Sequence, residues 1–352
     1  MPSDYQGVIV KRRIKLTIAY DGTSYKGWQI QNPNAEQPEG NIPTIQGALT
    51  GAIQRLTRDG TVQLIGASRT DSGVHAHGNV AVFDTDTSIP TCNFPAAINS
   101  FLPEDIRVVA AEDVPADFNP RFEPHKKTYE YRVDNSQIPS PMGRLYSYNY
   151  SYSLDLRRMQ SAAQYLVGVH DFTSFVNPDS QVFEHGGDAV REIYSIDIIS
   201  STGGLESVSG TAQQCAADIG QSGVLQSSDH GTGTAEQCTA AGGESYTPGE
   251  VIEKDAQSKS IAGTHTSEEA PGQLSTQTPR KVSDDESQQL IIRISGNGFL
   301  YHMIRIIVGT LLQVGSGKRE PEDIKNILKA KDRTKAGPTV PAKGLCLVEL
   351  KY

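Results

Sequence analysis

Residues 66–77 read Gly-Ala-Ser-Arg-Thr-Asp-Ser-Gly-Val-His-Ala-His, which sets the Asp71 carboxylate two positions from the Arg69 guanidinium. A carboxylate beside a cation stays ionised and can act as a base or nucleophile. Gly73 lets the backbone turn tightly and come close to a ligand. The residue types allow two other roles. Asp71 can bond its own backbone as an Asx turn, or join His75 and His77 as oxygen and nitrogen ligands of a metal. An isolated His-x-His pair is a thin metal signature, since no further His or Cys cluster completes the set.

Two more places carry chemistry. The run 299–314 is apolar almost all round yet contains Arg305, with no acid within four residues on either side. A guanidinium buried without a partner costs several kcal/mol, so its partner has to come from elsewhere in the fold or from a bound phosphate. His302, in the same run, reads as a core histidine. In 125–132 (HKKTYEYR), period two sets Lys127, Tyr129 and Tyr131 on one face of a strand. Cations interleaved with aromatics suit RNA, because rings stack on bases while cations meet phosphates. Gly315-Ser316-Gly317-Lys318 imitates a phosphate loop but lacks the first glycine of that motif and follows a helix; it is a helix-ending turn.

These groups need elements to hold them. Strands are expected at 11–20, where Ile14, Leu16, Ile18 and Tyr20 share one face, and at 62–65, 79–83, 106–110, 128–133 and 345–350. Thr44 caps a helix to about residue 56, and further helices are expected at 93–101, 156–166, 299–314 and 322–330. The Asp71 motif then forms a loop between two strands. Strands and helices mix without a βαβ rhythm, which points to an α+β fold on a largely antiparallel sheet. The chain divides into an N-terminal domain over 11–115 and a second over 116–200 and 289–352.

Residues 201–288 stand apart. Leu, Ile, Val and Phe supply 10 of these 88 residues, with 13 acidic against 4 basic side chains. Such a stretch buries too little apolar surface to offset its chain entropy, and it is read as a disordered acidic insertion. Its flanks, 192–199 and 289–295, are β-like and look like the arms of a hairpin whose turn it replaces. The formal net charge of −9 lies in this insertion; the rest carries 28 acidic and 28 basic residues, which leaves room for a basic cleft. The run 299–314 is too short and polar to span a bilayer, and the N-terminus lacks the apolar core of a signal peptide. The cysteines at 92, 215, 238 and 346 form no CxxC pair, so neither a zinc site nor a disulfide framework is expected. A reduced, cytoplasmic setting follows.

At these residues the sequence resembles the tRNA pseudouridine synthase A family. Arg69-Thr70-Asp71-Ser72-Gly73-Val74-His75-Ala76 is similar to its catalytic motif, and Tyr20-Asp21-Gly22, Tyr25, Gly27-Trp28-Gln29 and Gln31 to its opening strand and turn. Phe118, Arg121-Phe122, Tyr129 and Tyr131 resemble the segment of its active-site tyrosine. Asn297, Phe299, His302-Met303, Arg305 and Val308-Gly309 are similar to its late helix, and Lys331-Asp332-Arg333 with Gly344-Leu345 to its closing signature. Ser68 and Ser72 stand where Gly and Ala are frequent, Asn79 where Gln is usual, and 201–288 where the family has a short turn.

The resemblance implies a homodimer with two ferredoxin-like domains per chain around a central RNA-binding cleft. It implies no cofactor and no metal, and conversion of uridine to pseudouridine in the anticodon stem-loop of tRNA, at nucleotides 38 to 40. It makes Asp71 the catalytic carboxylate, with Arg69, Tyr129 and Arg305 binding substrate. Arg69 fills the space left by the extruded base, Tyr129 stacks on the uracil, and Arg305 holds Asp71 ionised. The competing readings are a non-catalytic tRNA-binding module of the same fold and a metal-dependent hydrolase using Asp71, His75 and His77.

Overall fold

A computed structural model describes residues 11–31, 42–123, 125–177, 180, 187–201 and 289–352. The acidic insertion therefore lies outside the described residues except for Ser201, as do Cys215 and Cys238.

The strands are β1 (Arg12–Tyr20), β2 (Ile65–Gly66), β3 (His75–Thr85), β4 (Ile106–Val114), β5 (Lys126–Asp134), β6 (Tyr148–Asn149), β7 (Gly168–Asp171), β8 (Val190–Ser201), β9 (Gln289–Gly296) and β10 (Leu345–Lys351). The helices are α1 (Ile45–Thr57), α2 (Phe94–Asn99), α3 (Leu156–Gln164), α4 (Met303–Gly315) and α5 (Asp323–Ala330). One mixed sheet runs in the order β4-β1-β3-β10-β5-β9-β8-β7, with β2 on β3 and β6 on β5. Its pairings are antiparallel except β10 with β3 and β5 with β6, which makes this the expected α+β class. The C-terminal strand β10 sits between β3 and β5 and so joins the early and late parts of the chain.

Period two shapes both faces of the sheet. Ile14, Leu16, Ile18 and Tyr20 are buried, in one hydrophobic core with Ile45, Leu49 and Ile53 of α1. Tyr129, Tyr131 and Val133 of β5 join the same core, together with the apolar side chains of α4. The alternate positions of β5 point the other way: Glu130 accepts from Arg293 of β9, its cross-strand partner, at 2.7 Å. Thr44 caps α1 as expected, its Oγ1 accepting from the Gly47 N–H at 3.2 Å. The glycine-rich 315–318 run ends α4. Gly317 is left-handed (φ +76°), the Lys318 N–H reaches Gln313 O and the Gly317 N–H reaches Val314 O, the hydrogen-bond pair of a Schellman turn.

The structure corrects three element assignments. The strand expected at 62–65 is Ile65–Gly66 alone, paired to Val82 and Ala81. β3 begins at His75, so the Asp71 loop ends at Val74 and the two histidines stand in a strand. That polar start is strand because both its edges are paired: Ala76 faces Tyr20 of β1 and Leu347 of β10. Finally, α4 begins at Met303. Arg305 is thus in the first turn of the helix, and His302 precedes it.

The hairpin expected around the insertion is present. β8 and β9 pair antiparallel, and Ser201 and Gln289 are cross-strand partners. No helix among the described residues is long and apolar enough to cross a membrane.

Candidate active site

The Asp71 loop is held from beneath by backbone. Trp28 N–H donates to Thr70 O at 3.0 Å, Gly73 N–H to Tyr25 O at 3.3 Å, and Val74 N–H closes the turn on Asp71 O at 3.1 Å. Gly73 takes φ +77°, as its place in the turn requires, and Gly27 (φ +89°) lets the 22–28 turn approach so closely that a Cβ there would sit 2.7 Å from Thr70 O. Side chains complete the support. Tyr20 Oη is 2.7 Å from Thr70 Oγ1, and the fully buried Asn79 donates to both Tyr20 Oη and Ser68 O.

Over this loop α4 sets its first turn. Arg305 Nη1 lies 3.3 Å from Asp71 Oδ2, and Arg305 Nε donates to Val340 O at 2.7 Å. The partner that Arg305 lacks along its own helix is therefore Asp71. His302 Nε2 is 3.5 Å from the same carboxylate oxygen. All three side chains are mostly enclosed: Asp71 is 18% exposed, Arg305 14% and His302 15%. Among the described residues no partner engages Asp71 Oδ1.

The carboxylate opens into a cavity of about 950 Å³. Among the described residues five cationic side chains line it, Lys26, Arg69, Arg121, Lys127 and Arg305, against one carboxylate, Asp71. Arg69 is exposed on this wall. Arg121 donates from Nε to Gly66 O, and the neighbouring Arg69 charge, after burial, holds its pKa below the ordinary guanidinium value. Lys127 donates to Ala67 O at 3.1 Å, and burial pushes its ammonium down to about 8. Tyr129 forms part of the floor. Its hydroxyl is 2.9 Å from Ser68 Oγ, its ring meets Phe299 edge-on at 5.4 Å, and burial raises its pKa to about 12, so the phenol stays protonated.

The structure thus brings Asp71, Arg69, Tyr129 and Arg305 to one cavity. It does not bring Tyr131 there: that side chain is fully buried and donates to Pro341 O at 2.7 Å. Nor does it gather Asp71 with His75 and His77. His75 Nδ1 lies 3.0 Å from Asp21 Oδ1, and both histidines line a separate cavity of about 380 Å³ with Asp21 and Tyr146. Among the described residues no three His, Cys, Asp or Glu side chains are placed to hold a metal.

Sequence reasoning missed the part played by two residues, His302 and Ser68. His302 is no core residue but stands on Asp71; its spacing of three from Arg305 on one chain run was the available signal. Lys127, expected to share a face with Tyr129, does line the cavity with it. Ser68 looked like a neutral departure from the family pattern, and it is the partner of the Tyr129 hydroxyl; nothing local signals that contact.

Comparison with known proteins adds independent information. The family model described as tRNA pseudouridine synthase matches residues 16–123 and 259–352. A protein of Clostridium tetani (strain Massachusetts / E88) named tRNA pseudouridine synthase A 2 is 34% identical over 341 residues, covering 97% of this chain and 99% of its own. The tRNA pseudouridine synthase A of Bacillus pumilus (strain SAFR-032) is 33% identical over 341 residues, with coverage of 97% and 99%. That of Caldicellulosiruptor bescii is 34% identical, with 97% of this chain and 100% of the relative aligned.

Proposed function

The chain belongs to the tRNA pseudouridine synthase family, and on that premise we propose that it isomerises uridine to pseudouridine in tRNA, with Asp71 as the catalytic carboxylate. One observation carries the assignment of the residue: among the described residues Asp71 is the one carboxylate on a cavity wall that also carries five cationic side chains, and Arg305 of α4 holds its Oδ2 while no described residue takes Oδ1.

The chemistry fits a site of this kind. The N1–C1′ bond of uridine breaks, the uracil turns, and C5 bonds to C1′; C5 loses a proton and N1 gains one. No net electron transfer occurs, so a positioned carboxylate and a pocket that holds the detached base are what the reaction asks of the protein. A base in a stacked stem must first be extruded, at a cost of a few kcal/mol. Arg69, exposed on the cavity wall, fills the vacated stack or meets phosphate, and Tyr129 supports the uracil. Arg305 orients Asp71 through its contact with Oδ2. The substrate is the anticodon stem-loop, at nucleotides 38 to 40.

The same reading assigns two ferredoxin-like domains to the sheet, 11–115 on one side and 116–200 with 289–352 on the other, with the RNA in the cleft between them and 201–288 an acidic insertion in the second. It also makes the protein a cytoplasmic homodimer without cofactor or metal. A non-catalytic tRNA-binding module of this fold gives the Asp71–Arg305 pair no task.

The test uses tRNA carrying 5-tritiated uridine. Parent protein is expected to release tritium to water, and D71N is expected to bind the tRNA with parental affinity and release none above background. Parental turnover by D71N removes Asp71 from the chemistry; tRNA binding without release by the parent favours the binding module.

A further inference from the structure

His302 stands where the chain enters α4, and its backbone is left-handed (φ 62°, ψ 2°). Among the described residues two other non-glycine positions share this conformation, Arg58 and Lys331. Both close helix C-termini, where a left-handed residue is an ordinary terminator. His302 opens a helix, where the capping residue is normally extended and its side chain accepts from the first turn. Its imidazole caps nothing. An uncommon backbone conformation with no local return marks a side chain whose direction matters.

That direction is toward Asp71. Nε2 lies 3.5 Å from Asp71 Oδ2, and Nδ1 lies 2.8 Å from the amide nitrogen of Asn177. An amide nitrogen donates and does not accept, so Nδ1 is the acceptor and the ring proton sits on Nε2, facing the carboxylate. The Tyr301 ring stacks on the imidazole with centroids 3.9 Å apart and planes 26° apart, which fixes the ring plane.

We infer that His302 is a positioning residue for Asp71: Asn177 and Tyr301 hold its imidazole in the Nε2–H tautomer, so that this N–H and the Arg305 guanidinium grip one carboxylate oxygen and leave the other to the substrate. The inference rests on the reading of Asp71 as the catalytic carboxylate. A neutral donor directs the carboxylate without adding a second full charge beside Arg305. The 3.5 Å separation is long for a hydrogen bond, as such contacts often are before substrate closes the site.

Two measurements on the full chain test it. The first needs no activity. With histidine labelled in ¹⁵N, the signal lost in H302Q is expected to show a bare Nδ1 and a protonated Nε2 at pH 7. The opposite tautomer, or a doubly protonated ring, overturns the inference. N177L, which leaves the strained residue in place, is expected to mix the tautomers; an unchanged spectrum also overturns it.

The second compares H302L with H302Q, which keeps an N–H at similar reach. With tRNA, H302L is expected to lose about 10- to 100-fold in kcat with KM within about threefold, and H302Q to recover most of that loss at the same Tm. Equal kcat in parent and H302L, or equal losses in both variants, overturns the inference. A parent that makes no pseudouridine defeats the proposed function instead, and the tautomer result stands apart from it.

Discussion

Arg305 reaches Asp71 across 234 positions of chain, Nη1 to Oδ2 at 3.3 Å, while its own Nε is spent on Val340 O. The guanidinium therefore fixes both the carboxylate and the segment that leads into β10. Removing it leaves a mostly enclosed carboxylate and a carbonyl without their donor. R305A should destabilise by about 2 kcal/mol, since hydrogen bonds to charged groups are worth about 1.5–3 kcal/mol, and lower Tm by about 4–8 °C for a domain of this size. R305K keeps the charge but not the planar fork and should fall between. Turnover should drop in both. An unchanged Tm in R305A would show that the pair carries no stability; additive losses of R305A and D71N would show that the two do not act as a unit.

Ser68 and Tyr129 offer a second cycle, because the two hydroxyls are 2.9 Å apart and buried. Burial keeps the phenol protonated to about pH 12, so it is an O–H and not a phenolate at any working pH. Y129F and S68A should each cost about 1 kcal/mol, and the double variant little more than either. Full additivity in denaturant titrations would mean that the hydroxyls do not depend on each other.

Lys127 predicts a pH dependence whose sign is fixed by its environment. Burial lowers its folded value to about 8 from an ordinary 10.5. Below pH 8 the amine is protonated in both states, and the folded protein bears the desolvation of the charge. Between pH 8 and 10.5 the unfolded chain holds a proton that the folded one has released, so folding gains as pH rises. The stability of the parent relative to K127M should be flat from pH 6.5 to 7.5 and then rise toward pH 10.5. A difference that is flat throughout would place the amine in water, and one that falls would place it beside an anion.

Much of this was legible from local pattern. Period two gave the buried face of β1 from Ile14 to Tyr20, and Thr44 marked the start of α1. Arg305 announced its need for an acid by having none nearby. What escaped was set by long-range pairing. His75–Asn79 carries no β-pattern, and it is strand because β1 and a C-terminal strand take its two edges. The apolar run from Phe299 reads as one helix, and its start is delayed by the left-handed His302, whose ring contacts Asn177 and Asp71 lie far off in sequence. No window along the chain contains those partners.

The pairing of Ser201 with Gln289 predicts what replacing residues 202–288 should do. The two residues face each other as the last pair of β8 and β9, so a two-residue Asn-Gly turn can join them without changing the register. Asp71, Arg69, Tyr129 and Arg305 all lie outside the replaced stretch. Each doubling of loop length costs about 0.6 kcal/mol, so closing the hairpin should raise stability by roughly 3 kcal/mol. Turnover on tRNA should stay within about twofold of the parent. The replaced stretch holds the whole of the formal net charge of −9, so tRNA affinity at low salt should rise and the gain should fade as salt screens it. A large loss of kcat in the shortened protein would instead place those residues on the RNA or on a partner subunit, and a fall in Tm would mean that they pack against the sheet.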